Sequence, residues 1–255
     1  MGHKTGARRI VNGPRWDELL QPIESAGVTE AVLRRLGELI GAGLLEPGER
    51  LPSEQELAQL FAVSPMTVRN ALQAMRSRGI LYTTRGRGSG TFVADDIQVR
   101  LFSDESGLPT YSEFADFNTW REAISGESCA LAATAATDAE VAELRALEQY
   151  VDGDSCMTKE HRFADARLHI RIAEVSGSHR LHQAELQIQD YLTRTLTHEV
   201  PRTNPNRIQA QRHNRLINAI AAHDPEAARA ELKTHARATF DVMIGLGRLR
   251  PDTTN

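Results

Sequence analysis

The 255-residue sequence has only two cysteines, Cys129 and Cys156. Two are too few for a disulfide scaffold, which points to a reducing compartment. Aromatic residues make up 5% of the chain. The apolar content leans instead on Ala and Leu, which favours helix. No apolar run approaches the ~20 residues that span a bilayer. No apolar segment follows Arg8 and Arg9 within Met1 to Pro14, so no secretory signal is visible. These absences predict a cytoplasmic protein that does not enter membranes. Strong net charge is also lacking. The formal value is −4, which on its own speaks mildly against nucleic acid, whose partners usually carry a basic domain.

The remaining composition is that of a folded protein. Hydrophobic residues are 40% and charged residues 25%, which excludes a disordered chain. The length suits two domains, each with its own core. Charge is unevenly spread between them. Residues 1–95 carry 12 Lys/Arg against 10 Asp/Glu, and residues 96–255 carry 18 against 24. The stretch Ser64 to Val93 holds five arginines (69, 76, 78, 85 and 87) and no acid. Such a stretch is either a solvated arginine face or a phosphate-binding one.

Breakers and composition divide the chain further. Residues 1–28 are rich in Gly and Pro, with little periodicity, and read as a mobile N-terminal extension. Residues 95–108 are polar and acidic and read as a linker. Between them, over 29–94, Thr29 is expected to cap a helix reaching about Ala42, with Val32, Leu33, Leu36, Leu39 and Ile40 as its apolar stripe. Ser53 and Glu56 are spaced as a capping box for a second helix. Ser64 caps a third, with Pro65 at its first position and Gly79 placed to end it. Two short helices with a tight connection form a helix-turn-helix. Val68, Ala71, Leu72 and Met75 face inward on the third helix; Met66, Arg69, Asn70 and Gln73 face outward. Arg and Asn can pair bidentately with guanine and adenine edges in a major groove.

A hairpin follows. Ile80 to Thr83 and Thr91 to Val93 read as strands joined by Thr84-Arg85-Gly86-Arg87-Gly88-Ser89-Gly90. Glycines allow close backbone approach, and arginines suit phosphates or a minor groove. The loop joins strand to strand and matches neither a P-loop nor a dinucleotide fingerprint, so it reads as a wing.

Residues 109–248 are helical throughout, giving six or so antiparallel helices in a bundle. The segments run from Phe114 to about Ala136, from Asp138 (as cap) to about Asp152, Lys159 to Ser176, His179 to about His198, Asn206 to Ala222 and Glu226 to about Gly245. Asp165 and His169 lie four apart on one helix face. His213 and His235 lie on apolar stripes of two others. A lone histidine in such a place is usually a satisfied core residue. Three histidines and an aspartate facing one interior would be costly to bury unpaired. A divalent metal removes that cost, and neutral imidazole with carboxylate suits zinc, nickel or manganese. His161, His179 and His182 read as ordinary. The fold expected is mainly α: an N-terminal winged helix-turn-helix with a small β-hairpin and a C-terminal all-α bundle.

The run LLEPGERLPSEQELAQLFAVSPMTVRNALQAMRSRGILYTTRGRGSGTFVA resembles the winged-helix DNA-binding domain of the GntR family of bacterial transcription regulators. The resemblance implies DNA contacts from Ser64, Thr67, Arg69 and the wing glycines, Gly88 and Gly90 among them. Many relatives have Arg where this chain has Gln55 and Pro65. The segments DARLHIRIAEVSGS and AQRHNRLINAIAAHDPEAARAELKTH resemble the FCD effector domain of the FadR-type GntR regulators. That similarity assigns a metal to Asp165, His169, His213 and His235, at the floor of a pocket for a small carboxylate metabolite. The family's early helix often reads R-x-x-x-E; here Arg121 is present and Ser125 stands at the acidic position. Arg121 is a candidate carboxylate clamp or a surface ion-pair partner.

The function expected is a metabolite-responsive regulator, in such families most often a repressor, that binds a palindromic operator as a homodimer. A metal-dependent hydrolase or lyase, with the His/Asp site as catalyst, is the rival reading. It lacks an H-E-x-x-H sequence, and no Glu directly follows a candidate histidine ligand. A purely structural metal is a third.

Overall fold

A computed structural model describes residues 27–86, 89–95, 108–151, 159–196, 213–245 and 247–252. The expected N-terminal extension and most of the expected linker lie outside the described residues, as do Cys156, Arg87 and Gly88. Described elements run α1 (Val28–Gly41), α2 (Glu54–Leu60), α3 (Pro65–Ser77), β1 (Leu81–Thr84), β2 (Gly90–Val93), α4 (Tyr111–Ala135), α5 (Asp138–Val151), α6 (Lys159–Val175), α7 (His179–Leu196), α8 (Asn214–Ala221) and α9 (Pro225–Gly245). The molecule is mainly helical, with a winged helix followed by a helical bundle.

Local chemistry explains most of the boundaries. Ser53 accepts the Glu56 amide and Glu56 reaches back to the Ser53 N–H, a complete capping box. Ser64 caps α3 by accepting from the Thr67 amide, with Pro65 in the first turn. Two expected caps are corrected. Thr29 lies inside α1, which starts one residue earlier behind Gly27 with no side-chain cap. Asp138 is likewise helical; the reciprocal pair at the start of α5 is Thr137 with Glu140. Both misplacements arise because a polar residue in the first turn and one at the cap look alike in sequence. The long helix starts at Tyr111, three residues before the expected Phe114, because Thr110 and Glu113 form another capping box.

The hairpin pairs Leu81 with Val93, Tyr82 with Phe92, Thr83 with Thr91 and Thr84 with Gly90. Glu49 and Leu51 extend its edge: the Leu51 amide donates to the Thr91 carbonyl and the Val93 amide to the Glu49 carbonyl. Tyr82 stacks on Phe92 with ring centroids 5.5 Å apart.

One core joins α1, α2, α3 and the hairpin through Val32, Leu36, Leu57, Val68, Leu72, Met75, Leu81 and Val93. A second joins α4, α5, α6, α8 and α9 through Cys129, Ala132, Leu144, Leu168, Ile172, Ile217, Ile220 and Leu232. The small alanines of α4 permit close helix approach there. A third is aromatic. Phe114 packs against Phe117, Tyr191 and Phe240, with centroids 5.6, 6.4 and 5.5 Å away. Phe114 is fully buried. Truncating it to Ala should therefore cost about 3–5 kcal/mol, seen as a lowered urea midpoint; an unchanged midpoint would show that this cluster does not hold α4 to α7 and α9.

Candidate nucleic-acid interface and candidate metal centre

Helix α3 presents the expected residues outward. Met66 is 58% exposed, and Arg69, Asn70 and Gln73 are all exposed. Thr67 is partly covered, and its hydroxyl lies 2.9 Å from the Ser64 hydroxyl. The Arg69 Nε donates to Glu54 Oε2 at 3.0 Å. Glu54 opens α2, so the guanidinium is held across the helix-turn-helix instead of lying free in solvent. This partner was not foreseen, because Glu54 is 15 positions away and carries no sequence signal of its own.

The wing is braced from outside the hairpin. Arg50 Nη2 donates to the Ser89 carbonyl at 3.0 Å. A Cβ on Gly90 would come within 2.8 Å of Arg50 Nε, so a larger residue there would push the Arg50 side chain aside. Arg85 is exposed. Together with the acid-free run from Ser64 to Val93, this surface can meet a polyanion along the α3 face and the loop.

The second site is buried in the bundle. Asp165, His169, His213 and His235 all lie below the surface, with one ligand atom from each inside a 4.8 Å cluster. They come from two helices and one helix start. Asp165 and His169 share a face of α6, His213 stands at the N-cap of α8, and His235 lies in α9. His213 Nε2 is 3.0 Å from Asp165 Oδ1 and 3.2 Å from His169 Nε2; His169 Nε2 is 3.9 Å from Asp165 Oδ1. Donors about 2.0–2.1 Å from a tetrahedral zinc lie about 3.3 Å apart. The donor set thus fits a divalent cation in both chemistry and spacing. The Nδ1 of His235 is buried without a hydrogen-bond partner among the described residues.

Electrostatics keep these groups ready to ligate. Burial pushes His169 and His235 well below the ordinary imidazole range. Burial alone would raise the Asp165 carboxyl. The Arg162 guanidinium, the hydrogen bond from His213 and the neighbouring rings outweigh it and hold the group well below the usual carboxylate range. Neutral imidazole and ionised carboxylate are the forms a metal requires.

A polar chain surrounds the cluster. Arg162 pairs with Asp165 and donates to Gln189 and Thr193. Gln189 donates to Glu185 at 2.6 Å, and Ser125 donates to the same carboxylate at 2.7 Å. Ser125, at the position where relatives often have an acid, thus faces an acid supplied by α7. Arg121 is 1% exposed, which removes the surface ion-pair reading. Its Nε and Nη1 have no hydrogen-bond partner among the described residues. Burial pushes its pKa down to about 10, against the opposing pull of Asp165 and Glu185. Arg162, Glu185 and Gln189 were not foreseen; each is one polar residue on a helix, and only packing shows that they meet.

Comparison with known proteins decides the family. Residues 28–93 match the family described as bacterial regulatory proteins, gntR family, and residues 116–238 match the FCD domain. The chain is 32% identical over 242 residues to a putative HTH-type transcriptional regulator RmpR from Mycobacterium gastri, covering 88% of this chain and 85% of that protein. The chain belongs to the GntR family. It is therefore a DNA-binding transcription regulator, not an enzyme, and its FCD domain implies a small-molecule effector. The HTH-type transcriptional repressor NanR of Klebsiella aerogenes is 27% identical over 239 residues, 89% of this chain and 90% of that one. The solved structure of E. coli McbR/YncC aligns over 87% of this chain and 99% of its own, at 19% identity and a TM-score of 0.47. No described helix of this GntR regulator is long and apolar enough to cross a membrane.

The suppressed histidine pKa values carry a sign. In the unfolded chain these imidazoles take protons near pH 6.5, whereas the folded chain resists. Stability from His169 and His235 is therefore present above pH 6.5 and falls as pH drops below it. Asp165 adds a second loss at pH values below the ordinary aspartate pKa. In chelator, the melting temperature should decline from pH 7 to pH 5, and more shallowly in His235→Leu. A flat profile in the parent chain would contradict the buried, neutral imidazoles.

Proposed function

We propose that this GntR regulator is a metabolite-responsive repressor. Its reader is residues 29–94, its sensor is residues 109–248, and residues 95–108 join them behind an extension at 1–28. The observation that carries the reading is the convergence of four potential metal ligands beside a buried arginine, two of whose nitrogens have no hydrogen-bond partner among the described residues. A small carboxylate metabolite supplies what Arg121 lacks, two acceptor oxygens in a plane.

In this reading Asp165, His169, His213 and His235 hold a divalent ion, zinc by preference, with nickel or manganese as alternatives. The ion supplies positive charge at the floor of the effector site. Arg162 orients the Asp165 carboxylate, and Gln189 fixes Arg162. Arg121 clamps the effector.

Operator contacts come from Ser64, Met66, Thr67, Arg69, Asn70 and Gln73, with Arg85, Arg87, Gly88 and Gly90 of the wing on the backbone or minor groove. Two copies reading a palindromic operator require a homodimer. An exposed aromatic face supports self-association: Trp120 is 37% exposed, beside Phe117, which stacks on Tyr191 at 4.1 Å. The absence of a membrane-spanning helix among the described residues is in keeping with a cytoplasmic regulator.

Two measurements test this. Arg69→Ala should weaken binding to an operator selected from random DNA by at least tenfold while leaving the circular dichroism spectrum unchanged, since one bidentate base contact is worth about 1–3 kcal/mol. Equal affinity would remove Arg69 from the interface. Elemental analysis should find one zinc per parent chain and none in His213→Ala. Retention of zinc by that variant would place the ion elsewhere.

A further inference from the structure

Helices α6 and α7 are two-sided. On α6, Arg162, Asp165 and His169 face the polar centre, while Phe163, Arg167 and Ile170 point the other way, toward the turn that follows α1. On α7, Glu185 and Gln189 face the centre, while Leu186, Asp190 and Arg194 face α1. Residues spaced three and four apart share a helix face, so each helix joins the two environments through one rigid backbone.

The contact on the outer side is closely built. Ala42, Ile170 and Leu186 form a small buried cluster with Leu39 packed against it. The carbonyl of Gly43 accepts from Arg167 at both Nε (3.2 Å) and Nη2 (3.0 Å), and Arg167 also pairs with Glu46. Gly43 has φ +69°, and a Cβ there would come within 2.7 Å of Phe163 Cγ. At Gly41 a Cβ would come within 2.9 Å of Asp190 Cγ. Asp190 is fixed in turn by Arg194 at 2.9 and 3.0 Å. The turn is itself tied down, since the Leu44 and Leu45 amides both donate to the Leu39 carbonyl.

We propose that Arg167 is a positioning residue for DNA binding. It fixes the DNA-reading unit to the back of the helix that carries Asp165 and His169, so that a change at the polar centre is passed to α1. The identity of the centre as a metal and effector site rests on the function proposed above; the docking geometry does not. A shift of α6 along or about its axis moves Arg167 and Phe163 with Asp165. Gly43 has no side chain with which to absorb that movement, so the turn and α1 must follow.

The test is amide hydrogen exchange on the full chain, read at residues 39–45. The parent protein is compared in chelator and in zinc. Gln189→Leu perturbs the centre without any metal, by removing the acceptor that holds Arg162. At least a threefold change in exchange at 39–45 is expected in both comparisons. Arg167→Ala should abolish that change while still binding one zinc per chain. Gly43→Asn should abolish it independently, since Asn tolerates positive φ and its Cβ forces Phe163 aside. Unchanged exchange at 39–45 in zinc-loaded parent protein overturns the proposal, as does a full response in Arg167→Ala. If the parent binds no zinc, the metal reading fails on its own. The Gln189→Leu arm then decides: altered exchange at 39–45 supports Arg167 as the link, and unaltered exchange refutes it.

Discussion

An ionised carboxylate in the middle of a helical bundle would cost several kcal/mol if left alone. Asp165 is such a group, and much of the second half of the chain is organised around it. Arg162 supplies the opposite charge, His213 donates a hydrogen bond at 3.0 Å, and His169 lies one helical turn further along α6. Arg162 needs partners for its other donors and finds them in Gln189 and Thr193 on α7. Gln189 leads to Glu185, and Glu185 to Ser125 on α4. The charge of one residue therefore dictates polar positions on α4, α6, α7 and α8 that apolar packing would otherwise fill.

The same constraint suits the centre to sensing. A core of leucine and alanine has one good packing and little reason to respond. A core with neutral imidazoles, a shielded carboxylate and a guanidinium with two nitrogens unpaired among the described residues has unmet polar demand. Such demand is costly in the unliganded chain and is relieved by a ligand that binds it. The aromatic cluster around Phe114 supplies apolar burial elsewhere and ties α4, α7 and α9 together. The DNA-reading unit is built on conventional terms, with capped helices, an apolar core and a braced hairpin, and so needs no ligand to account for its form.

Legibility in the sequence followed the range of the interactions. Capping boxes at Ser53–Glu56 and the Pro65 start of α3 are encoded within four residues, and both were readable. The apolar stripes of α1 and α3 were readable from period alone. The starts of α1 and α5 were misplaced by two residues and one, because Thr29 and Asp138 offer side chains that suit either a cap or a first turn. The four potential ligands were picked out because three histidines and an aspartate on inward faces are chemically unusual. Their mutual distances were not available, since His213 and His235 reach Asp165 only through the way α8 and α9 pack onto α4 within the bundle. Arg121 could be read as clamp or surface residue until its burial was seen.

By itself the sequence determined the local elements, the acid-free arginine stretch and the winged-helix and FCD character, because helix periodicity, capping chemistry and motif spacing act over short separations. Only the tertiary structure decided that Glu54 holds Arg69, that Glu185 from α7 meets Ser125 on α4, and that α6 bears the polar centre on one face and the DNA-reading unit on the other. Those contacts join residues 15 to more than 120 positions apart. At that range no period or spacing links the partners; the balance of buried charge, close packing and chain geometry does.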